Sequence, residues 1–410
     1  MARVILHVDL NNFYASVEMK LNPSLKGKFV GVCGNVENRH GIILAKSENA
    51  KKMGVKTGMT INEAKRLCPD IVLVEANHAH YIAYSKLVKN IYRDYSDKIE
   101  SFGIDECWID VTNSIKMFKS GEAIANAIRE RVKNELGLTV SVGVSYNKVF
   151  AKLGSDLNKP DGTFVITEQN YKDTVWPLPV GDLLFVGKST ALKFKKINVL
   201  TIGDLANADV NYIEKHFGKW GITLHEYANG KDKSTVLNDN ESDEIKSVGN
   251  SITCYRDLKS EEDVKILLTV LSESVSSRLI LYGLGKATTL SIFVRDCELN
   301  SSTRQGKLLN PSVLPDDFKD FAFTLFKKHY DFSKGIRTLG VSVSHFISNE
   351  EQISFYDDKY DKKYKLNQAV NKVKEKYGNK SVVKGIVLKD KKLMREDPEE
   401  THLIHPEGSI

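Results

Sequence analysis

Two adjacent carboxylates, Asp105 and Glu106, have the clearest chemical potential in this chain. They lie within the segment Ser101-Phe-Gly-Ile-Asp-Glu-Cys-Trp-Ile-Asp110, between short apolar stretches typical of strands, where a fold normally avoids charge. Two carboxylates separated by about 4 Å repel each other by about 4 kcal/mol at an effective dielectric near 20. A cation bound between them relieves this repulsion, so the pair predicts a metal site.

A third carboxylate, Asp9, ends the apolar, strand-like segment Val4-Ile-Leu-His-Val8. Carboxylate oxygens are preferred ligands of Mg²⁺, and two Mg²⁺ ions held by such acids can support phosphoryl transfer. Successive strand residues point to opposite faces, so Asp105 and Glu106 converge only at a bend, which Gly103 permits. The alternative is that the pair is solvated surface charge, as most Asp-Glu dipeptides are.

Length and composition are typical of a multidomain soluble protein. The 410 residues are 41% hydrophobic and 27% charged, and such a chain is expected to form about three domains. No apolar run approaches the roughly 20 residues that span a bilayer, and no signal peptide is visible, so we expect a cytoplasmic protein. Five scattered cysteines without a CxxC pair argue against a zinc site or a disulfide framework. The net charge of +6 favours a polyanionic partner only weakly.

Sequence patterns divide the chain into an α+β region, a helical region and a second α+β region. A small lobe extends to about residue 77, and from 78 to about 167 helices alternate with strands, which predicts an antiparallel sheet with helices on one face. Residues 168–233 are mostly helical, and the polar, acidic stretch 234–244 predicts a linker. Residues 245–348 follow the β-α-β-β-α-β order of a ferredoxin-like domain. Residues 349–410 are predicted to form a tail with one amphipathic stretch, Tyr364–Tyr377, and a charged, mobile end.

Four sequence elements occur in a characteristic order: Asp9, Phe13-Tyr14, Asp105-Glu106, and Asn147-Lys-Val-Phe-Ala-Lys-Leu-Gly-Ser-Asp-Leu-Asn-Lys-Pro160. In this order and spacing the chain resembles the Y-family (translesion) DNA polymerases, within the bacterial DNA polymerase IV and UmuC-like group. The resemblance covers the chain to about residue 348. It implies a template-directed, low-fidelity DNA polymerase that transfers dNTPs to a primer 3′-hydroxyl during translesion synthesis and DNA repair.

The resemblance also implies an α+β multidomain fold shaped like a right hand, whose little finger is ferredoxin-like and binds DNA. The implied parts are a palm at 1–10 and 78–167, fingers at 11–77, a thumb at 168–233, a linker at 234–244, a little finger at 245–348 and a tail at 349–410. The thumb contains a segment like half of a helix-hairpin-helix. A monomer that binds template-primer DNA and dNTPs, without membrane association, is expected.

For the metal site, the resemblance makes Asp9, Asp105 and Glu106 the ligands of two Mg²⁺ ions, together with the carbonyl oxygen of Leu10. Mn²⁺ is expected to substitute for Mg²⁺. Glu106 is implied to bind the ion nearer the primer hydroxyl. These roles agree with the chemistry expected of clustered acids in phosphoryl transfer.

For the nucleotide site, the resemblance places Phe13 and Tyr14 beside the incoming dNTP. Tyr14 becomes a steric gate, an aromatic ring under C2′ of the sugar that collides with a ribonucleotide 2′-hydroxyl. Without the resemblance, an aromatic residue early in a helix is more often part of the core. Lys51 and Lys159 are implied to contact the triphosphate.

One segment departs from the family pattern. Where many relatives carry a Thr and a Tyr that bond the triphosphate, this chain has Ala45 and Glu48. A carboxylate beside a triphosphate is repulsive unless Lys46 or Lys51 compensates it. The contacts to the nucleotide phosphates are therefore expected to differ from those of relatives.

For DNA, the resemblance suggests four contacts to the phosphate backbone. Gly187 begins a helix whose N–H groups could bind a phosphate, although an ordinary helix pair is the alternative. Arg256, Arg295 and Arg304 fall in or beside little-finger strands. Each of these arginines could equally be plain surface charge.

The tail carries a short peptide, Gln352-Ile-Ser-Phe-Tyr356, that resembles the motif by which bacterial polymerases dock on the sliding clamp. Gln352 would fix orientation while Phe355 and Tyr356 enter an apolar pocket. The alternative is that these aromatic residues attach the tail to the little finger.

Two other classes of function are compatible with parts of the sequence. A catalytically silent, polymerase-like DNA-repair scaffold would fit the unusual fingers segment but has no need for a repulsive acidic cluster. A two-metal nuclease or cyclase could use a similar palm, but the little-finger order and Lys159 disfavour it.

Overall fold

The computed structural model describes residues 3–34, 41–238, 245–347, 358–378, 380–390 and 393. The chain divides into two compact units, one made of the described residues up to 238 and the other of those from 245 onward. Both units combine helices with sheets, which confirms the predicted α+β multidomain class. None of the helices in these ranges is long and apolar enough to span a lipid bilayer.

The strands among the described residues are β1 (Ile5–Leu10), β2 (Val30–Cys33), β3 (Ile43–Lys46), β4 (Val72–Glu75), β5 (Ile99–Ser101), β6 (Glu106–Asp110), β7 (Val140–Ser145), β8 (Thr163–Val165), β9 (Ser247–Leu258), β10 (Lys286–Asp296), β11 (Ser301–Ser312) and β12 (Ile336–Ile347). They form a five-stranded and a three-stranded sheet in the first unit and a four-stranded sheet in the second.

The α-helices in the same ranges are α1 (Phe13–Leu21), α2 (Glu48–Lys52), α3 (Ile61–Leu67), α4 (His78–Arg93), α5 (Ile115–Phe118), α6 (Gly121–Arg131), α7 (Lys148–Leu157), α8 (Tyr171–Thr174), α9 (Lys188–Lys196), α10 (Ile202–Asn207), α11 (Val210–Phe217), α12 (Lys219–Ala228), α13 (Glu261–Leu281), α14 (Pro315–His329) and α15 (Asp358–Tyr377). Short 3₁₀ turns occupy Pro23–Leu25, Val180–Asp182 and Gly385–Asp390, and a π-turn, Val132–Leu136, extends α6.

The five-stranded sheet has the order β5-β6-β1-β7-β8. All neighbouring strands are antiparallel except β7 and β8, which are parallel. The prediction of an antiparallel sheet is therefore wrong at this edge. The reason is that α7 connects β7 to β8, and a strand-helix-strand crossover returns the chain in the same direction.

Helices cover both faces of this sheet, which corrects the prediction of helices on one face. Side chains alternate along β1, so Leu6 and Val8 enter a core shared with Ile128 of α6. His7 faces the opposite side, where its Nδ1 lies 2.8 Å from Ser155 Oγ on α7. Gly143 permits this close packing, because a Cβ there would lie 1.9 Å from the Ala151 carbonyl oxygen.

The three-stranded sheet, in the order β3-β2-β4, belongs to the region predicted as fingers. Its helices α2 and α3 begin at Ser47 and Thr60, whose side chains accept hydrogen bonds from backbone amides of the first turn. Strand β2 pairs antiparallel to β3 and parallel to β4. The sequence patterns did not predict β4, a short strand of only partly buried residues.

Part of the predicted linker packs on the first unit. Val236 is 5% exposed and belongs to a small core with Ile5 and Trp108. The backbone amide of Leu237 donates a 3.0 Å hydrogen bond to Glu100. Although 234–244 is polar overall, Val236 is an apolar residue that packs residues 234–238 against the five-stranded sheet.

The second unit has the strand and helix order β9-α13-β10-β11-α14-β12, which confirms the predicted β-α-β-β-α-β arrangement. Its antiparallel sheet has the order β11-β10-β12-β9. Residues such as Leu290, Val341 and Ile252 on one face of the sheet share a core with Leu267 and Phe318 of the two helices. The long, evenly patterned elements explain why this domain was predictable.

The described part of the tail packs on the second unit, and the predicted amphipathic stretch lies within helix α15. Helix α15 lies against α13, with Lys374 Nζ 2.8 Å from Glu273 Oε2 and Asn367 Nδ2 3.0 Å from Ser276 Oγ. Val387, in the following 3₁₀ turn, is 3% exposed. The charged end of the tail, predicted to be mobile, lies mostly outside the described residues.

Candidate active site

The three predicted metal ligands meet at one end of the five-stranded sheet. Asp9 and Glu106 are direct partners across β1 and β6, so their side chains share one face of the sheet. Asp105 directly precedes β6, and its carbonyl oxygen accepts a 3.1 Å hydrogen bond from the amide of Leu10. The carbonyl oxygen of Leu10 stays a predicted ligand.

Burial and mutual repulsion destabilise the ionised forms of Asp9 and Asp105. Burial, together with the charges of Glu106 and Asp9, raises the pKa of Asp105 to about 7. Burial also raises the pKa of Asp9, although Lys159 opposes that effect. The site therefore favours the arrival of positive charge, as the acidic pair predicted.

Two lysines from one segment supply part of that charge. Lys159 Nζ lies 2.8 Å from Asp9 Oδ2 and 2.7 Å from Asp156 Oδ1, and Lys152 Nζ lies 2.6 Å from Glu106 Oε2. Burial alone would lower the pKa of Lys159, but these two aspartates hold it above its usual value. Sequence reasoning missed Lys152, although its spacing from Asp156 places both on one face of α7.

His7 is a second residue that the sequence analysis missed. It is fully buried on β1, with Nε2 3.3 Å from Glu106 Oε2 and Nδ1 2.8 Å from Ser155 Oγ. Burial holds its pKa well below the usual value, with Lys152 adding to the effect. Its position two residues before Asp9 was the available signal, because alternate strand residues share a face.

The donor set fits a divalent cation in chemistry, although the side chains currently pair with lysines. Within the described ranges, no three Asp, Glu, His or Cys side chains are placed to hold one ion together. The three carboxylates are nevertheless hard oxygen donors at a single sheet edge, and two of them are destabilised by burial. Metal binding therefore requires the ammonium groups to move aside.

Tyr14 and Phe13 occupy different environments at the start of α1. Phe13 is 3% exposed and its side chain packs in the sheet core, and a nucleotide contact at Phe13 stays a prediction. Tyr14 is partly exposed, and its ring stacks on Tyr81 with centroids 4.1 Å apart. Burial and the charge of Asp105 raise the pKa of Tyr14 to about 12, so its hydroxyl stays neutral.

The negative charge of Glu48 is partly compensated by two neighbouring side chains. Its Oε1 accepts a 3.0 Å hydrogen bond from Asn12 Nδ2 and lies 3.5 Å from Lys51 Nζ. Burial alone would raise the pKa of Glu48, but these two partners hold it below its usual value. Lys51 remains half-exposed and available for a phosphate, while Lys46 donates to Thr57 Oγ1 at 3.0 Å.

The predicted DNA contacts of the second unit fall into different environments. Arg295 is exposed on β10, on the sheet face opposite the helices. Arg304 is the partner of Ile292, a core residue, so it lies on the helix side of edge strand β11. Arg256 is bound to Asp263 and Asp390 at 2.6 and 2.9 Å.

These placements argue against Arg256 and Arg304 as partners of Arg295 in DNA binding. Gln305 and Lys307 are exposed on β11, and their partners Ser291 and Thr289 lie on the open face with Arg295. Their orientation could not be predicted from the sequence, because the register of β11 decides which residues face outward.

Gly187 begins α9 in the first unit and is exposed. Apart from its chain neighbours, no described atom lies within 4 Å of the position that a Cβ would occupy. The element before this turn is only the three-residue 3₁₀ turn Val180–Asp182. A phosphate contact at Gly187 stays a prediction, as does docking by Gln352, Phe355 and Tyr356, which lie outside the described residues.

Comparison with known proteins decides the family. Residues 8–156 match the model of the impB/mucB/samB family, and residues 245–355 match the model of that family's C-terminal domain. The chain belongs to the Y family of DNA polymerases. The first matched range contains Asp9, Asp105, Glu106 and Lys152, and Lys159 lies just beyond it.

Relatives of this Y-family polymerase match over nearly its whole length. A DNA polymerase IV of Acetivibrio thermocellus is 50% identical over 96% of this chain and 100% of its own. A DNA polymerase IV of Bacillus subtilis is 37% identical over 95% of this chain and 94% of its own. A solved Y-family DNA polymerase chimera is 27% identical, with a TM-score of 0.74 over 84% of this chain and 100% of that chain. The chain is thus a DNA-directed DNA polymerase with the right-hand α+β fold.

Proposed function

We propose that Asp9, Asp105 and Glu106, with the carbonyl of Leu10, form the two-metal centre of a translesion DNA polymerase. The observation that carries this proposal is the cross-strand pair of Asp9 and Glu106, with Asp105 at the adjoining strand end. Membership of the family implies dependence on a divalent metal, and two Mg²⁺ ions are the proposed occupants. When bound, they lower the pKa of the primer 3′-hydroxyl and neutralise charge on the departing pyrophosphate.

We propose that the lysines exchange partners when substrate and metal bind. Lys159 now neutralises Asp9, and Lys152 neutralises Glu106. With Asp9 and Glu106 holding metal ions instead, the ammonium of Lys159 would be available to contact the β- and γ-phosphates of the dNTP. Lys51 approaches the same phosphates from the fingers, while Asn12 holds Glu48 in place.

The partly exposed ring of Tyr14 is proposed to exclude ribonucleotides. The open face of the second unit's sheet, with Arg295, Gln305 and Lys307, is proposed to bind the template-primer backbone. Serine and threonine side chains of β10 and β12 on this face add hydroxyl donors without obstructing a duplex. The predictions of a monomer and of a cytoplasmic location stay predictions.

Primer extension tests the proposed function directly. With a primed template, Mg²⁺ and dNTPs, we expect extension that stops when EDTA removes the metal, because the carboxylates alone cannot neutralise a triphosphate. The measurement is the length distribution of a labelled primer. DNA binding without any extension would instead support a silent scaffold, and shortening of the primer would support a nuclease.

We further propose that Gln352, Phe355 and Tyr356 tether the polymerase to a sliding clamp. The peptide lies between the end of β12 and the start of α15, two elements packed in the second unit. A tether raises the effective concentration of a weakly bound polymerase at the primer end.

Titration of the cognate clamp against the wild type and a Gln352→Ala/Phe355→Ala variant tests this role. We expect at least about a tenfold weaker affinity for the variant, since an aromatic anchor usually dominates such a contact. Ser354→Ala, at the middle of the peptide, is the matched control and should bind like the wild type. Equal affinity of all three proteins, with unchanged thermal stability, would contradict the tethering role.

A further inference from the structure

The ring of Tyr14 rests on a second tyrosine that is buried beneath it. The planes of the Tyr14 and Tyr81 rings are inclined by only 8°, with centroids 4.1 Å apart. Tyr81, on α4, is fully buried, whereas Tyr14, on α1, is partly exposed. One face of the Tyr14 ring is therefore covered by Tyr81, which leaves the other face for the sugar of an incoming nucleotide.

Tyr81 is itself fixed at its far end. Its hydroxyl donates a 2.7 Å hydrogen bond to Glu18 Oε1 and accepts one of 3.2 Å from the amide of Asn77. Glu18 lies four residues after Tyr14, on the same face of α1. Tyr81 thus holds that helix face at two points, with its ring on Tyr14 and its hydroxyl on Glu18.

A third aromatic residue completes the support. The ring of His78 stands edge-on to both tyrosines, with centroid distances of 5.8 Å to Tyr14 and 5.7 Å to Tyr81. Edge-to-face and offset-stacked contacts are the favourable geometries for aromatic pairs. The Tyr14 ring therefore has defined neighbours on one face and one edge, and it cannot tilt without losing both contacts.

We propose that Tyr81 is a positioning residue for sugar discrimination. A steric gate rejects a 2′-hydroxyl only if its ring cannot retreat, because a shift of about 1 Å removes most of a van der Waals clash. The stacked, hydrogen-bonded ring of Tyr81 fills the space into which Tyr14 would otherwise move. Discrimination against ribonucleotides then depends on Tyr81, although Tyr81 touches no substrate. This inference rests on the proposed role of Tyr14.

The alternative is that Tyr81 serves only the core. Loss of a core side chain lowers stability and reduces the use of every nucleotide to a similar extent. A positioning role predicts something different, namely a change in the ratio of kcat/KM for a dNTP to kcat/KM for the matching ribonucleotide. That ratio is independent of the fraction of enzyme that is folded.

The experiment compares this ratio for dCTP and CTP, opposite a template guanine, in a set of variants. Tyr81→Leu removes the ring but keeps an apolar side chain, and its ratio is expected to fall by about tenfold. Tyr81→Phe keeps the ring and loses the two hydrogen bonds, so its ratio should stay within about threefold of the wild type. Ile128→Ala, which opens a cavity in the same core on α6, a helix that carries none of the three aromatic rings, should leave the ratio unchanged.

Tyr14→Ala is included as the reference. If Tyr14→Ala leaves the ratio unchanged, the proposed gate is wrong. If Tyr14→Ala lowers the ratio but Tyr81→Leu does not, the gate stands and the positioning role of Tyr81 is wrong. If Ile128→Ala lowers the ratio as much as Tyr81→Leu, the effect belongs to general loosening of the core, and the positioning role is again overturned.

Discussion

Replacing Asp105 or Glu106 with Ala is expected to reduce primer extension by about 10³-fold or more, since each removes an oxygen donor from a centre that supplies most of the transition-state stabilisation. DNA affinity should persist, because it comes from phosphate contacts elsewhere in the chain. The measurements are single-turnover extension rates and DNA binding by fluorescence anisotropy.

The stability of the Asp105 variant sharpens this test. Burial and repulsion raise the pKa of Asp105 to about 7, so the stability lost to its ionisation grows as the pH rises from about 4, the ordinary pKa, and reaches its full extent above about 7. Asp105→Ala is therefore expected to unfold at the same temperature as the metal-free wild type, or a higher one. Glu122→Ala, which removes an exposed acid from α6, is the matched control and should extend primers normally. Normal extension by both site variants would contradict the metal assignment.

Shortening Tyr14 to Ala is expected to lower the ratio of deoxyribonucleotide to ribonucleotide use by about 100-fold, because only the clash with the 2′-hydroxyl is relieved. The use of dNTPs should fall much less, since the carboxylates and lysines remain in place. The measurement is kcat/KM for each nucleotide on the same primed template.

Tyr14→Phe is the matched control for this prediction. It keeps the ring on Tyr81 and removes only the hydroxyl, which is neutral at working pH because the pKa of Tyr14 is raised to about 12. Its selectivity should match that of the wild type. An unchanged ratio in Tyr14→Ala would show that Tyr14 packs in the core and does not face the sugar.

The departure in the fingers segment shows how local and tertiary information combine. The sequence indicated that Glu48 needed compensation near a triphosphate, and it named the two nearby lysines as candidates. The structure adds Asn12, which lies 36 residues away and donates to Glu48 at 3.0 Å. No local pattern marks such a partner, because it depends on how α1 and α2 come together.

The sequence by itself determined the acidic cluster and the second unit's fold. Asp9 lies at the end of one apolar strand and Asp105-Glu106 at the start of another, so the chemistry of clustered carboxylates and the bend permitted by Gly103 were enough to predict a shared site. The ferredoxin-like order followed from long segments with clear periodicity. These features depend on neighbours within a few residues, and such neighbours are visible in a linear pattern.

Only the tertiary structure decided which partners meet that site and which faces are open. Side-chain alternation along β1 predicts that His7 and Asp9 share one face. It does not predict which helix covers that face, and in the structure α7 does so and brings Lys152 to Glu106. The register of β11 turned Arg304 toward the helices and left Lys307 on the open face. Tyr81 reaches Tyr14 across 67 residues of chain. Each contact joins segments far apart in sequence, so it is fixed by the packing of whole elements, which no local pattern encodes.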